Sequence, residues 1–149
     1  MQINLEGILK NNIQEYKDLK DLSKKSKIIL YFYPKDSTPG CTNQAVDFNQ
    51  HLDEFSKMDI EIIGCSADSI DSHKKFQEKH DLNFILLSDP KMNLINDFKV
   101  FGEKKNYGKV FMGLIRSSFL IDVNSGQVLR EWRNVRAKNH AQKLLKDLS

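Results

Sequence analysis

The residues best suited to chemistry lie around Cys41, the first of two cysteines. This cysteine follows a loop at residues 35–40, which itself follows Pro34 and the apolar, β-rich run at residues 28–33. Apolar residues then recur at helical spacing and predict an amphipathic helix over about residues 41–55. A thiol at a helix start faces unpaired backbone N–H groups and the positive end of the helix dipole, which favour the nucleophilic thiolate. The pattern therefore indicates nucleophilic or redox chemistry at Cys41.

Both cysteines also have an interpretation without chemistry. Free cysteines are among the most buried residues, so Cys41 could be a small core residue that the loop merely precedes. Cys65 ends the apolar run at residues 60–65, and a buried core position is the interpretation that this setting favours. Two cysteines do not make a disulfide framework, and they fit a reducing compartment, so we expect the cytoplasm.

Composition limits the remaining classes of function. The chain has 149 residues, of which 40% are hydrophobic and 29% charged, and this predicts one globular domain over residues 1–149. The net charge is +3, and lysines often stand beside acids, as in Lys17-Asp18, which is typical of a solvated surface rather than a nucleic-acid interface. No apolar run approaches the roughly 18 residues of a membrane helix, and we expect no membrane partner and no secretory signal.

The sequence predicts neither a metal nor a cofactor. Its four histidines and two cysteines show no Cys-x-x-Cys or His-x-x-x-His spacing. There is no phosphate-binding loop or Gly-x-Gly-x-x-Gly motif, so a nucleotide or flavin is not expected. His73 and His80 fall on one predicted helix and are expected at surface or half-buried positions. Asp68 and Asp71 resemble acids at the start of that helix.

The apolar runs predict the elements that position Cys41. Residues 10–27 are polar and are expected to be irregular, and residues 102–113 are expected to form an exposed loop. Strands are expected at 28–33, 60–65, 84–87, 117–122 and 127–132, the last two as a hairpin, and helices at about 41–55, from 66–72 onward, around 94–98 and at 139–148. Alternating strands and helices followed by a hairpin favour an α/β fold with a mixed central β-sheet flanked by helices.

Several stretches resemble one protein family. Pro34, Thr38 and Cys41 match the Pro-x-x-x-Thr-x-x-Cys pattern of peroxiredoxins. The longer strings resemble the bacterioferritin comigratory protein subfamily, also called PrxQ, and follow in the same order: YFYPKDSTPGCT, GCSADSIDSHKKF, LSDP, IRSSFLID and WRNVRAKNHAQKLL. The resemblance covers nearly everything from residue 28 to the C-terminus. It implies a thioredoxin-like fold and a thiol-dependent peroxidase acting on hydrogen peroxide and organic hydroperoxides.

The resemblance also implies roles for four residues. Cys41 would be the peroxidatic cysteine, which attacks the peroxide and becomes a sulfenic acid. Thr38 would offer its hydroxyl to the thiolate and the peroxide, and Pro34 would shield the site from water. Arg116 would direct a fixed positive charge at the sulfur and the peroxide oxygens. Taken singly, Thr38 could be a cap, Pro34 a strand terminator and Arg116 a surface arginine.

The sequence departs from the family where a resolving cysteine is frequent, since those positions hold Val46 and Gln77. Gln44 stands where an acid is usual, so a carboxylate partner for the arginine is expected to be lost or altered. The opening Gly-Asp-x-Ala-Pro-x-Phe of relatives is also absent, which predicts a shortened first hairpin. We therefore expect a one-cysteine mechanism, with Cys65 either structural or reachable only after local unfolding.

In this mechanism an external thiol such as thioredoxin, or glutaredoxin with glutathione, would reduce the sulfenic acid. The resemblance further implies a monomer. Alternatives are a peroxide-sensing redox protein, a thioredoxin-like thiol–disulfide oxidoreductase, for which the Cys-x-x-Cys is missing because Thr38 stands in the first position, and a binding domain with inert cysteines.

Overall fold

The computed structural model places the apolar run before Cys41 in a seven-stranded sheet, and it describes residues 1–149 with the exception of the side chain of Asn106. The strands are β1 (Gln2–Leu9), β2 (Asn12–Asp18), β3 (Lys27–Phe32), β4 (Ile60–Ser66), β5 (Ile85–Ser88), β6 (Phe101–Asn106), β7 (Lys109–Leu114), β8 (Ser117–Asp122) and β9 (Val128–Trp132). The helices are α1 (Pro39–Gln50), α2 (Leu52–Lys57), α3 (Ile70–His80), α4 (Asn93–Asp97) and α5 (His140–Leu148).

The main sheet is mixed, as predicted. Its strand order is β2-β1-β5-β4-β3-β8-β9, and β3, β4 and β5 run parallel to one another while the pairings of β1, β2, β8 and β9 are antiparallel. β6 and β7 form a separate two-stranded sheet. The carboxyl ends of β3 and β4 meet at one edge, where the Cys41 loop begins, and this is the edge at which α/β sheets usually carry their sites.

Each face of the sheet carries its own core. Along β3 the side chains of Ile28, Leu30 and Phe32 enter one cluster, and those of Ile29 and Tyr31 enter the other. The Tyr31 face packs against α1, α3 and α5, whereas the Phe32 face packs against α4. Burial on both faces explains why β3 is a continuous apolar run and was predictable from sequence.

The prediction that residues 10–27 are irregular is wrong. β2 and a short 3-10 helix at Leu19–Asp21 occupy this segment. β2 is an edge strand whose residues are mostly exposed, with Tyr16 its only buried residue, so the apolar alternation of a strand is missing. The first hairpin, expected to be shortened, is present and turns through Lys10 and Asn11, both at positive φ.

The prediction of a loop over residues 102–113 is also wrong, because β6 and β7 form a hairpin there. Most of the described side chains on both of its faces are exposed, so no apolar periodicity marks the strands. The helix expected over residues 41–55 begins earlier, at Pro39, and ends at Gln50, with α2 following. Within the described part of the chain, no helix has the length and apolarity needed to cross a membrane.

Candidate active site

Cys41 is the third residue of α1, and its side chain is 1% exposed. Pro39 begins the helix, a position that suits proline because the first N–H groups of a helix have no intrahelical partner. Thr38 precedes it as the capping residue, and its carbonyl accepts the Thr42 N–H at 2.8 Å. The predicted placement of Cys41 in the first helical turn, after the end of β3, is therefore confirmed.

Arg116 reaches the sulfur from another part of the chain. It directly precedes β8, and the antiparallel pairing of β8 with β3 aligns Ser117 with Phe32 at the end of β3. Its Nη2 donates to Cys41 Sγ at 3.3 Å. A Cβ on Gly40 would lie 3.3 Å from this nitrogen, so the absence of a side chain at Gly40 provides space for the guanidinium. A fixed positive charge at this distance stabilises a thiolate.

Gln44 holds the other arm of the guanidinium. It lies one helical turn after Cys41, is fully buried, and accepts a hydrogen bond from Arg116 Nη1 through Oε1. Among the described residues its Nε2 has no hydrogen-bond partner. The amide thus orients Arg116 without adding a negative charge, which leaves the charge of the guanidinium uncancelled on this side.

The other two residues implied by the resemblance, Thr38 and Pro34, are half-buried in the same loop. The Thr38 hydroxyl donates to the Lys35 carbonyl at 3.0 Å, so its proton is committed away from the sulfur. The oxygen keeps its lone pairs and can still accept a hydrogen bond. Pro34 lies two residues after Phe32, the last residue of β3, on the loop that leads to Cys41.

Tyr31 is a residue of the site that sequence reasoning missed. Its hydroxyl is buried without a hydrogen-bond partner in the described structure. Burial raises its pKa well above 10.0, and the negative charges of Cys41 and Asp36 add to this effect while Arg116 opposes it. The phenol is therefore a neutral group that feels both the sulfur and the Asp36 carboxylate. Its position inside an apolar strand gave no sequence signal.

Asp36 joins the Cys41 loop to α3 through a buried network that sequence reasoning also missed. Its carboxylate accepts from the Tyr33 hydroxyl at 2.5 Å and from the Ser72 hydroxyl at 2.9 Å. His73 Nδ1 lies 2.6 Å from the same carboxylate, and Nε2 lies 2.9 Å from the Leu87 carbonyl. His73 is fully buried, so its expected surface or half-buried position is wrong. The residues are far apart in sequence and carry no joint motif.

Asp68 belongs to this network rather than to the start of a helix. Its Oδ2 accepts the Asp36 N–H at 2.9 Å and the Ser66 hydroxyl at 2.6 Å, and Ser69 caps α3 instead. Ligand atoms of Asp36, Asp68 and His73 lie within 4.8 Å of one another, a separation that a metal ion could bridge. Protein donors and acceptors already engage these atoms, so the contacts describe a hydrogen-bond network and not a metal centre.

Cys65 lies on the other side of the sheet from Cys41. It pairs with Phe32 across the β3–β4 ladder and packs in the Phe32 core, whereas Cys41 packs in the Tyr31 core. Burial, together with the charge of Asp89, raises the pKa of the Cys65 thiol well above 9.0. Both properties make it a poor nucleophile toward an oxidised Cys41 in the folded protein.

His140 is a buried neighbour of the arginine and begins α5. Its Nε2 lies 2.8 Å from the Ser118 hydroxyl, and its ring packs edge-on against Phe48 of α1. Burial, together with the charges of Arg116 and Lys143, lowers its pKa from 6.5 to about 4. The imidazole is therefore neutral at pH 7.

Known proteins resemble this chain over most of its length. The model of the AhpC/TSA family matches residues 5–130. Peroxiredoxin Bcp of Bacillus subtilis is 50% identical over 125 residues, which cover 82% of this chain and 79% of the relative. Peroxiredoxin Bcp of Xanthomonas campestris is 46% identical over 118 residues, covering 79% of this chain and 73% of the relative.

A solved structure extends the likeness to the fold. The bacterioferritin comigratory protein of Xanthomonas campestris, studied for its alkyl peroxide reduction activity, superposes with a TM-score of 0.83 at 39% identity, covering 99% of this chain and 90% of that one. The fold is therefore thioredoxin-like, as the resemblance implied. The chain belongs to the AhpC/TSA family and, within it, to the peroxiredoxins of the bacterioferritin comigratory protein type.

Proposed function

We propose that this peroxiredoxin, a thiol-dependent peroxidase, uses Cys41 as its peroxidatic cysteine. The observation that carries the proposal is the contact of Arg116 Nη2 with the buried Cys41 sulfur at 3.3 Å. A helix start and an always-charged guanidinium act together on this thiol, and both favour the thiolate that attacks a peroxide.

In the first step the Cys41 thiolate attacks the terminal oxygen of a hydroperoxide. An S–O bond forms as the O–O bond breaks, so the sulfur is oxidised to the sulfenic acid and the peroxide is reduced to an alcohol, or to water from hydrogen peroxide. Negative charge moves onto the departing oxygen, which takes up a proton. Arg116 would stabilise this charge because its Nη2 already donates to the reacting sulfur.

Thr38 and Pro34 would prepare the peroxide for this attack. With its own proton on the Lys35 carbonyl, the Thr38 hydroxyl can accept the O–H of the peroxide and orient the terminal oxygen toward the sulfur. Pro34 offers no N–H and covers the loop with an apolar ring, which limits water at the site.

In the second step an external thiol would regenerate Cys41. One thiolate attacks the sulfenic sulfur and displaces hydroxide, which leaves as water, and a second thiolate attacks the mixed disulfide and releases Cys41. The placement of Cys65 on the opposite face supports this one-cysteine scheme over an internal disulfide. A thioredoxin, or glutaredoxin with glutathione, fits the role of reductant. The proposed enzyme is a single-domain, cytoplasmic monomer.

Intact mass after one equivalent of hydrogen peroxide, with dimedone present, tests both steps. We expect a dimedone adduct on Cys41 in the wild type and in Cys65→Ser, and none in Cys41→Ser. A loss of two hydrogens in the wild type, with an adduct only in Cys65→Ser, would make Cys65 the resolving thiol. An unreactive Cys41 in both proteins would refute the proposed function, and sustained turnover with a thiol reductant separates a peroxidase from a sensor.

A further inference from the structure

The loop that carries Pro34, Thr38 and Cys41 is anchored through one side chain, that of Asp36. This carboxylate is 5% exposed and sits between the end of β3 and the start of α1. It receives hydrogen bonds from Tyr33, Ser72 and His73, and its backbone N–H donates to Asp68. The loop is thereby tied to α3 and, through Asp68 and Ser66, to the end of β4.

The partners of His73 determine its protonation. Nε2 faces the Leu87 carbonyl, which can only accept, so Nε2 must carry a proton. Nδ1 faces the Asp36 carboxylate at 2.6 Å. Two hydroxyl donors on that carboxylate favour its ionised form, and an ionised carboxylate requires a proton on Nδ1 as well. The contacts therefore describe an imidazolium paired with a carboxylate.

The charge of this pair affects the stability of the Cys41 thiolate because Asp36 and Cys41 lie near each other. Tyr33, which donates to Asp36, packs in the same buried core as Tyr31 and Cys41, so the sulfur and the carboxylate border one low-dielectric region. An uncompensated carboxylate there would act as a like charge and oppose the thiolate. A charged His73 cancels it and leaves Arg116 as the net charge acting on the sulfur.

Building on the proposed function, we propose that Asp36 and His73 form a charge-compensated positioning pair: Asp36 fixes the loop that presents Cys41, and the His73 imidazolium cancels its charge. Neither residue touches the peroxide. Three segments supply the polar groups around the pair. These are Tyr33 directly after β3, Ser72 in α3 and the Leu87 carbonyl in β5.

The nearby acids lie outside the pair itself. Asp68 is half-buried and is already bound by the Asp36 N–H and the Ser66 hydroxyl. Asp89, on the loop after β5, is engaged by the backbone N–H groups of Asn93 and Ile95. Within the group of Asp36, Asp68 and His73, the imidazole is the only side chain able to carry a positive charge.

The charge state is tested directly, without any reaction. Long-range proton–nitrogen NMR spectra of the wild type at pH 7 should show both ring nitrogens of His73 protonated, with assignment by His73→Asn. A neutral imidazole with a bare Nδ1 would overturn the inference, because Asp36 would then hold the shared proton. This outcome is independent of peroxidase activity.

The catalytic consequence is tested with His73→Asn, which retains an N–H for Asp36 but removes the charge. Stopped-flow oxidation by hydrogen peroxide should be slowed at least about tenfold at pH 7, with the pH–rate curve displaced to higher pH, because one like charge nearby is enough for such a change. Asp36→Asn/His73→Asn removes both charges and should recover to within a few-fold of the wild type. His80→Asn, on the same helix, is the matched control and should react at the wild-type rate.

An unchanged rate and pH profile in His73→Asn, or a double variant as slow as the single one, would overturn the compensation. Circular dichroism and urea unfolding establish that each variant is folded, and the NMR measurement on the wild type decides the matter if a variant is not. Wild-type protein whose Cys41 does not oxidise would refute the proposed function. An oxidisable Cys41 beside a neutral His73 would refute only the inference drawn from the pair.

Discussion

His140 makes the stability of the fold depend on pH over a defined range. Its folded-state pKa is about 4, against 6.5 for an ordinary histidine, because the ring is buried near Arg116 and Lys143. The unfolded chain therefore binds a proton at this residue between these two values, whereas the folded chain does not. The stabilising effect is complete above pH 6.5 and is lost progressively as the pH falls toward 4.

The magnitude follows from the two pKa values. A proton that binds with a pKa of 6.5 when unfolded and about 4 when folded lowers the free energy of unfolding by about 2 kcal/mol between pH 7 and pH 5. Glutamine can still reach the Ser118 hydroxyl but does not titrate. Between pH 7 and pH 5 the free energy of unfolding of His140→Gln should therefore fall by about 2 kcal/mol less than that of the wild type. This difference is expected even if the variant is less stable at pH 7.

Urea unfolding followed by the fluorescence of Trp132, the only tryptophan, measures this difference at pH 7, 6 and 5. The quantity of interest is the wild-type slope minus that of His140→Gln, because every other group contributes to both slopes. His80→Gln serves as the control, because His80 is half-buried at the end of α3. Equal slopes in the wild type and His140→Gln would refute the assignment of a buried, neutral imidazole.

Three further predictions concern the site and its support. Arg116→Ala should slow the reaction of Cys41 with peroxide by about a hundredfold, measured by stopped flow, because the donor nearest the sulfur is removed; an unchanged rate would exclude Arg116 from the mechanism. Gln44→Ala should slow the same reaction less, by about tenfold, since it removes one hydrogen bond to a charged group; a larger loss than that of Arg116→Ala would contradict this order. Gly64→Ala should lower the free energy of unfolding by about 1–3 kcal/mol, measured in urea, because overpacking costs this much. The added Cβ would lie 2.8 Å from Leu86 Cδ2 and 3.1 Å from the Tyr31 ring, and an unaffected midpoint would show that these side chains yield freely.

The elements that sequence predicted best are those with a buried face. β3 and β4 are largely apolar runs, β8 contains the apolar run at residues 119–121, and α5 repeats its apolar residues at helical spacing, so the sequence predicts all four. β2, β6 and β7 are largely exposed, and solvent imposes no apolar periodicity on a strand, so the sequence predicts irregular structure or a loop at these positions. The periodicity of apolar residues that reveals an element in a sequence comes from burial and not from backbone hydrogen bonding.

The sequence by itself determined the local setting of Cys41. A loop after a buried strand, followed by apolar residues at helical spacing, predicts a helix that starts at about Cys41, and a helix start favours a thiolate whatever else surrounds it. The family strings supplied the expectation that Arg116 is a partner, but composition and spacing alone could not separate this arginine from a surface residue.

Only the tertiary structure decided which side chains meet. Asp36 and His73 are 37 residues apart and touch because β3 and β4 pair in one register and end at one edge. The same ladder sets Cys65 opposite Phe32, on the face away from Cys41, and a shift of one residue would have reversed that face. The reason is physical: local sequence controls backbone conformation and helix dipoles, whereas strand register and the pleat determine which distant charges and thiols share a buried space.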